Sequence, residues 1–272
     1  MDSLIQTNKF SNLHDGNKVF FSKIDLIDST INQIKSSNNE CILIIGNGDL
    51  PLTDDINDRI PNNVIKIFAQ NNLTNSDRVE SLPLGIGNSE PCRNNGHGEH
   101  WENVKEKVTL LNNIKHTDYN DFKIYSNFTI ETFPIHRSLV KSISSELDYV
   151  VSHENDLQYN DFINNILNAS CNLCPAGNGL DTHRLWETLY CKRIPITFKV
   201  NETRSYIWSE NKIIGLYENL YRKLPIIILD DINDLTNKDL LITKLNEVSD
   251  NWKNSYLLDY NYWENKMRKY IL

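Results

Sequence analysis

The sequence predicts an α/β protein built from two Rossmann-like domains, and three observations carry that expectation. Cys41-Ile42-Leu43-Ile44-Ile45 is an unbroken apolar run of strand length, the pattern of a parallel strand buried on both faces. Further short apolar runs at 64–69, 79–84, 122–128, 194–200 and 224–229 alternate with helical or loop segments. A chain of 272 residues is long enough for two modest domains, each with a core of its own.

Taken in order, residues 1–39 are polar and broken, with a first strand at 19–21 and a helix at 24–34. The strand at 41–45 ends in Gly46-Asn47-Gly48-Asp49, a tight turn at a carboxyl edge, where open α/β sheets bind ligands. Asp49 is the candidate general base there; as a turn aspartate it equally suits capping the segment that follows. Residues 86–100 read as a loop at the same edge. Cys92, His97, Glu99 and His100 match no standard zinc spacing, and the loop is expected to meet an acceptor, with His97 and His100 as contacts. A helix at 101–116 and a linker at 117–121 close a first domain of residues 1–120.

The second domain, 121–250, opens with the strand at 122–128 and a helix running to 143. A strand at 149–151, a helix at 159–169, strands at 194–200 and 224–229, and a helix at 238–248 follow. Residues 251–272 form a terminal helix in which Trp252, Tyr256, Tyr260 and Trp263 recur at helical spacing, a packing surface.

The most informative stretch runs from Cys174 to Thr197. It reads as a strand end, a glycine turn, a helix start and a buried strand. Gly177-Asn178-Gly179 can take positive φ and admit phosphates close to the backbone. Asp181 or Thr182 can cap the helix, whose amide groups and positive dipole end face the same spot. Arg184 and Glu187, three apart, share a helix face, while Leu185 and Leu189 point to the core. A planar guanidinium suits a diphosphate, and a glutamate suits a ribose diol. His183 is placed either to touch the diphosphate or to be an ordinary satisfied polar residue.

The run Gly177, Gly179, Asp181, Arg184, Glu187, followed by Ile194-Pro195-Ile196, resembles the donor-binding motif of GT-B glycosyltransferases. The likeness is to exostosin-like enzymes and their viral relatives, and more loosely to α1,3-fucosyltransferases. It extends weakly to 68–71, to 82–85, to Tyr125-Ser126-Asn127-Phe128 and to Arg137. This resemblance implies two Rossmann-like domains facing across a cleft, with the C-terminal helix crossing back to the first. It also implies donor contacts from Asn127 and Arg137, and a single displacement that inverts the anomeric centre with one base. The expected function is transfer of a sugar from a UDP-sugar, such as UDP-xylose, to a glycan hydroxyl. A GDP-fucose-type transferase and a non-catalytic nucleotide-sugar or glycan-binding module are the alternatives.

Composition narrows the field. A net charge of -8 argues against nucleic acid as a general partner. No apolar run reaches membrane-spanning length, and residues 1–9 lack a secretory pattern, so a soluble cytoplasmic enzyme is expected. Five cysteines, an odd number, suggest no disulfide framework. Asp230-Asp231 with Asp234 reads as a helix approach and not as an Asp-x-Asp metal site, so neither a metal nor another cofactor is expected. A Rossmann oxidoreductase is disfavoured, because Gly46-Asn47-Gly48-Asp49 lacks the third glycine of the dinucleotide fingerprint.

Overall fold

A computed structural model describes residues 3–92, 104–116, 121–153 and 157–271. The elements in order are α1 (Thr7–Phe10), β1 (Val19–Ser22), α2 (Ile27–Ser37), β2 (Cys41–Ile45), α3 (Asp54–Arg59), β3 (Val64–Ala69), β4 (Val79–Ser81) and α4 (Val104–Asn112). They continue with β5 (Ile124–Ser126), α5 (Pro134–Ser145), β6 (Val150–Ser152), α6 (Tyr159–Leu167), β7 (Cys171–Leu173), α7 (His183–Tyr190) and β8 (Ile194–Phe198). The chain ends with α8 (Gly215–Asn219), β9 (Ile227–Leu229), α9 (Lys238–Ser249) and α10 (Tyr260–Arg268). The fold is α/β with two parallel sheets, and the chain divides into two compact units.

Unit 1 takes residues 1–105, 211–223 and 256–272. Its sheet runs β1-β2-β3-β4, all parallel. Strand side chains alternate between faces. Phe20, Leu43, Ile45, Ile67 and Ala69 pack with Ile27, Ile31 and Ile34 of α2. On the opposite face Phe68 meets Tyr270 edge-on at 6.0 Å, and Trp263 and Met267 of α10 are buried. The helix α3, too short for its periodicity to show in the sequence, starts at Thr53, whose hydroxyl accepts from the Ile56 amide. The short α8 also belongs to this unit, held where the Leu216 amide donates to the Asn72 carbonyl.

Unit 2 takes residues 106–210 and 224–255. Its parallel sheet has the order β6-β5-β7-β8-β9. From β5 the chain steps outward to β6, then reverses to β7, β8 and β9. This is the doubly wound order, with its switch point between β5 and β7. One face buries Leu173, Ile196 and Phe198 with Val140 of α5 and Leu241 and Leu245 of α9. On the other, Tyr125 lies 6.0 Å from Phe162 of α6, and the Asn172 side chain donates to Thr188 of α7 at 2.8 Å. So α5 and α9 cover one face, and α6 and α7 the other.

No helix among the described residues is long and apolar enough to cross a membrane. The five cysteines are buried and form no disulfide.

Candidate functional site

Open α/β sheets bind ligands beyond the carboxyl ends of the strands, at the point where strand order reverses. In unit 2 that point holds Asn127, just past β5, and the loop 174–182, just past β7. The chain builds this edge from the residues that the sequence singles out, together with several it does not.

Arg184, in the first turn of α7, reaches across the switch point, and its Nη1 donates to Asn127 Oδ1 at 3.1 Å. Its guanidinium lies 4.7 Å over the Phe162 ring. A guanidinium carries five N–H donors. Among the described residues Arg184 spends one, and no ion pair closes on it. Burial holds its pKa below the ordinary arginine value, opposed by Glu187. The result is a half-buried cation most of whose donors have no partner among the described residues.

Arg137, on α5, has a different task. Nε donates to the Ala176 carbonyl at 2.8 Å, Nη2 to Pro175 at 3.0 Å and Nη1 to Thr129 at 2.7 Å. Its fork therefore clamps the loop after β7 to the segment after β5. Burial and the neighbouring Arg184 push its pKa down to about 10. Gly177 is needed for this clamp, because a Cβ there would lie 2.8 Å from Arg137 Nη2. Positive φ is not what Gly177 and Gly179 supply: among the described glycines only Gly16 and Gly85 take it.

Asp181 is buried, and both its oxygens accept from the indole N–H of Trp186, at 2.8 and 3.0 Å. The cap residue of α7 is Thr182, but its hydroxyl makes no capping bond. The amide of Thr182 instead donates to Asp181 Oδ1 at 2.8 Å. Two buried atoms of this loop, Asn178 Oδ1 and Thr182 Oγ1, have no hydrogen-bond partner among the described residues. A buried polar atom left unpaired costs about 1–3 kcal/mol, and such a cost is met where a ligand or water completes the bond. His183 sits half-buried at the start of α7.

Glu187 is buried one turn beyond Arg184. Its Oε1 accepts from Lys107 of α4 at 3.3 Å and from the Tyr159 hydroxyl at 3.2 Å. Lys107 also lies 4.5 Å over the Tyr159 ring. Burial, reinforced by Glu187, keeps the Tyr159 phenol protonated far above its usual range. Lys107, Tyr159 and Phe162 are additions to the residues expected from sequence. Their partners lie 80, 28 and 22 positions away, so no local spacing could have announced them.

The candidate base belongs to unit 1. Asn47 takes φ 58° in the turn after β2, and Asp49 is exposed two residues on. Amides fix this turn: Asn47 N donates to Gln70 Oε1 at 2.8 Å, Asn47 Nδ2 to Asn8 Oδ1 at 2.7 Å, and Asn71 Nδ2 to the Gly48 carbonyl at 3.0 Å. His97 and His100, expected to touch an acceptor, lie outside the described residues. Asp231 accepts from the Asn233 amide at 2.9 Å and caps the turn at Ile232–Thr236. Among the described residues, no group of three or more His, Cys, Asp or Glu side chains is placed to hold a metal ion.

Fold and site together define a class: a doubly wound α/β unit with a half-buried arginine at the carboxyl edge of its sheet, in a chain that also carries a second parallel α/β unit. No protein-family model matches the chain, and no curated protein matches it. Among solved structures it is similar to OtsA in its apo form, with 9% identity and a TM-score of 0.45 over 97% of this chain and 76% of that one. It is also similar to an α1,3-fucosyltransferase, with 12% identity and a TM-score of 0.39 over 93% of this chain and 75% of that one. Both are loose likenesses.

Proposed function

We propose that the chain is a GT-B glycosyltransferase of exostosin-like type, which moves a sugar from a UDP-sugar to a glycan hydroxyl with inversion and without a metal. The single observation that carries this reading is Arg184: a half-buried guanidinium at the switch point, held by Asn127 and Phe162, with four N–H donors unspent among the described residues. Such a group suits a diphosphate, and Glu187 on the same helix suits the ribose. Arg137 contributes charge from behind the loop while its hydrogen bonds hold that loop in place.

In this reading the acceptor oxygen attacks the anomeric carbon as the bond from that carbon to the diphosphate oxygen breaks. The acceptor's proton passes to Asp49, the proposed base of unit 1. The electron pair leaves on the diphosphate, where Arg184 and the amide end of α7 stabilise the charge without reorganising. The same site also suits a GDP-sugar, and the nucleotide screen below separates the two donors.

The test is a thermal-shift screen against UDP, GDP, CMP and NAD, each with and without Mn²⁺. A ligand that binds only the folded state raises the midpoint by mass action. A shift with UDP that ignores Mn²⁺ and vanishes in Arg184→Ala is expected. A shift with NAD alone would overturn the reading, and binding without turnover of any donor would leave a nucleotide-sugar-binding module.

A further inference from the structure

Directly after β8 the chain makes a small hairpin that the site described above does not use. Its backbone is closed by Thr203 N donating to the Tyr206 carbonyl at 2.8 Å and by Trp208 N donating to Asn201 at 2.8 Å, with Glu202 and Ile207 bridged antiparallel. On this fixed frame Tyr206 and Trp208 stack with ring centroids 6.5 Å apart and planes 20° apart. Tyr206 is 36% exposed and Ile207 71%. Aromatic rings held together outside the core, on a pinned backbone, offer a flat apolar surface to something outside the protein.

The hairpin is continuous with the ligand edge. Because the sheet is parallel, β7 and β8 end on the same side. The Arg204 amide donates to the Gly177 carbonyl at 3.4 Å, and Arg204 Nη1 donates to the Glu131 carbonyl at 3.2 Å. The hairpin is thus tied to the glycine loop and to the turn that leads into α5. Glu187 is tied to the other flank, through Tyr159 at the start of α6. A nucleotide sugar with its diphosphate at Arg184 has two ends. If Glu187 takes the ribose, the other end runs toward Gly177 and the hairpin.

We infer that the Tyr206–Trp208 hairpin is a stacking platform for a sugar ring at the non-nucleoside end of the ligand. The inference rests on the nucleotide-sugar reading of the site and assigns the part that distinguishes a nucleotide sugar from its bare nucleotide. A sugar presents a face of C–H groups to an aromatic ring, and its hydroxyls stay free at the rim.

The experiment is calorimetric titration of wild type, Tyr206→Ala and Trp208→Ala with UDP, UDP-xylose, GDP and GDP-fucose. Each substitution is expected to weaken the sugar ester of the preferred nucleotide by roughly tenfold while leaving the bare nucleotide within about twofold. Tyr206→Phe and Trp208→Phe, which keep a ring, should bind the sugar ester as wild type does. Equal weakening of nucleotide and sugar ester would place the nucleoside on the hairpin and overturn the assignment, as would no change in either. Loss of all binding with a lowered melting point would make the hairpin structural; with retained melting behaviour it would show a wider role than sugar stacking, and either result overturns the assignment. Wild type that binds none of the four probes would remove the nucleotide-sugar reading itself, and the platform with it.

Discussion

Arg184 is a half-buried cation, and among the described residues no ion pair closes on it. Its stacking on Phe162 stabilises the fold by about 1 kcal/mol, while keeping a charge desolvated costs energy of opposite sign. The two offset, so Arg184→Ala should melt within a few degrees of wild type, by circular dichroism, while losing the nucleotide shift. His136 illustrates a different balance. It is buried between Phe133 at 5.3 Å and Phe198 at 5.4 Å, its Nε2 has no partner among the described residues, and burial followed by the nearby Arg137 pushes its pKa from 6.5 down to about 4. Between those values the unfolded chain binds a proton that the folded one does not, so stability rises with pH through the window and is lost as pH falls. The contribution is on the order of 3 kcal/mol, from a shift of 6.5 to about 4. In His136→Phe, urea unfolding midpoints between pH 4 and 7 should flatten; an unchanged acid slope would assign the sensitivity elsewhere. The candidate residues that the sequence offers are those that cluster: Arg184, Glu187 and the glycines stand within eleven positions of one another. That Arg137 spends its fork on three carbonyls was not legible, because carbonyls carry no signature in a sequence.

At the scale of elements, the strands were the easiest to read, since burial on both faces makes them continuously apolar. β2 spans 41–45 and β3 spans 64–69, as the runs predicted. Some runs overreach: β4 ends at Ser81 and β9 begins at Ile227, because ladder pairing stops before the apolar run does. The helices α3 and α8, with 6 and 5 residues, are too short for a 3.6-residue period to repeat, and they went unread. Gly215 explains how α8 docks. A Cβ there would run into the Thr74 carbonyl oxygen and the Asn72 amide. Gly215→Ala should therefore lower stability by about 1–3 kcal/mol, the usual cost of overpacking. Hydrogen exchange should show the loss concentrated at 211–223 and 72–74; uniform protection across both segments would mean the helix adjusts without cost.

Among the described residues, one core forms around β1–β4 with α2 and another around β5–β9 with α5 and α9. Unit 1 depends on pieces remote in sequence: Trp263 and Met267 are buried at 1% and 0%, and Lys266 pairs with Glu80. Removing 256–272 should strip the cover from the Phe68 face. Amide protection in β1–β4 is then expected to collapse while β5, β7 and β8 keep theirs; loss of protection in both sheets would show that the units do not fold separately. The two-domain plan was legible from the alternation of strands and helices. The return of 211–223 to unit 1 was not, since a five-residue helix between two polar stretches carries no address.

The same threading sets an order of events during synthesis. The strands of unit 1 leave the ribosome well before residues 211–223 and 256–272 exist, and at 5–20 residues per second that interval is on the order of ten seconds or more. Unit 2 interrupts it and is itself complete only once 224–255 has emerged. A nascent chain of this protein therefore carries an uncovered sheet face through most of its translation. Translation speed and chaperone supply thus bear on its yield more than the finished structure's stability would suggest.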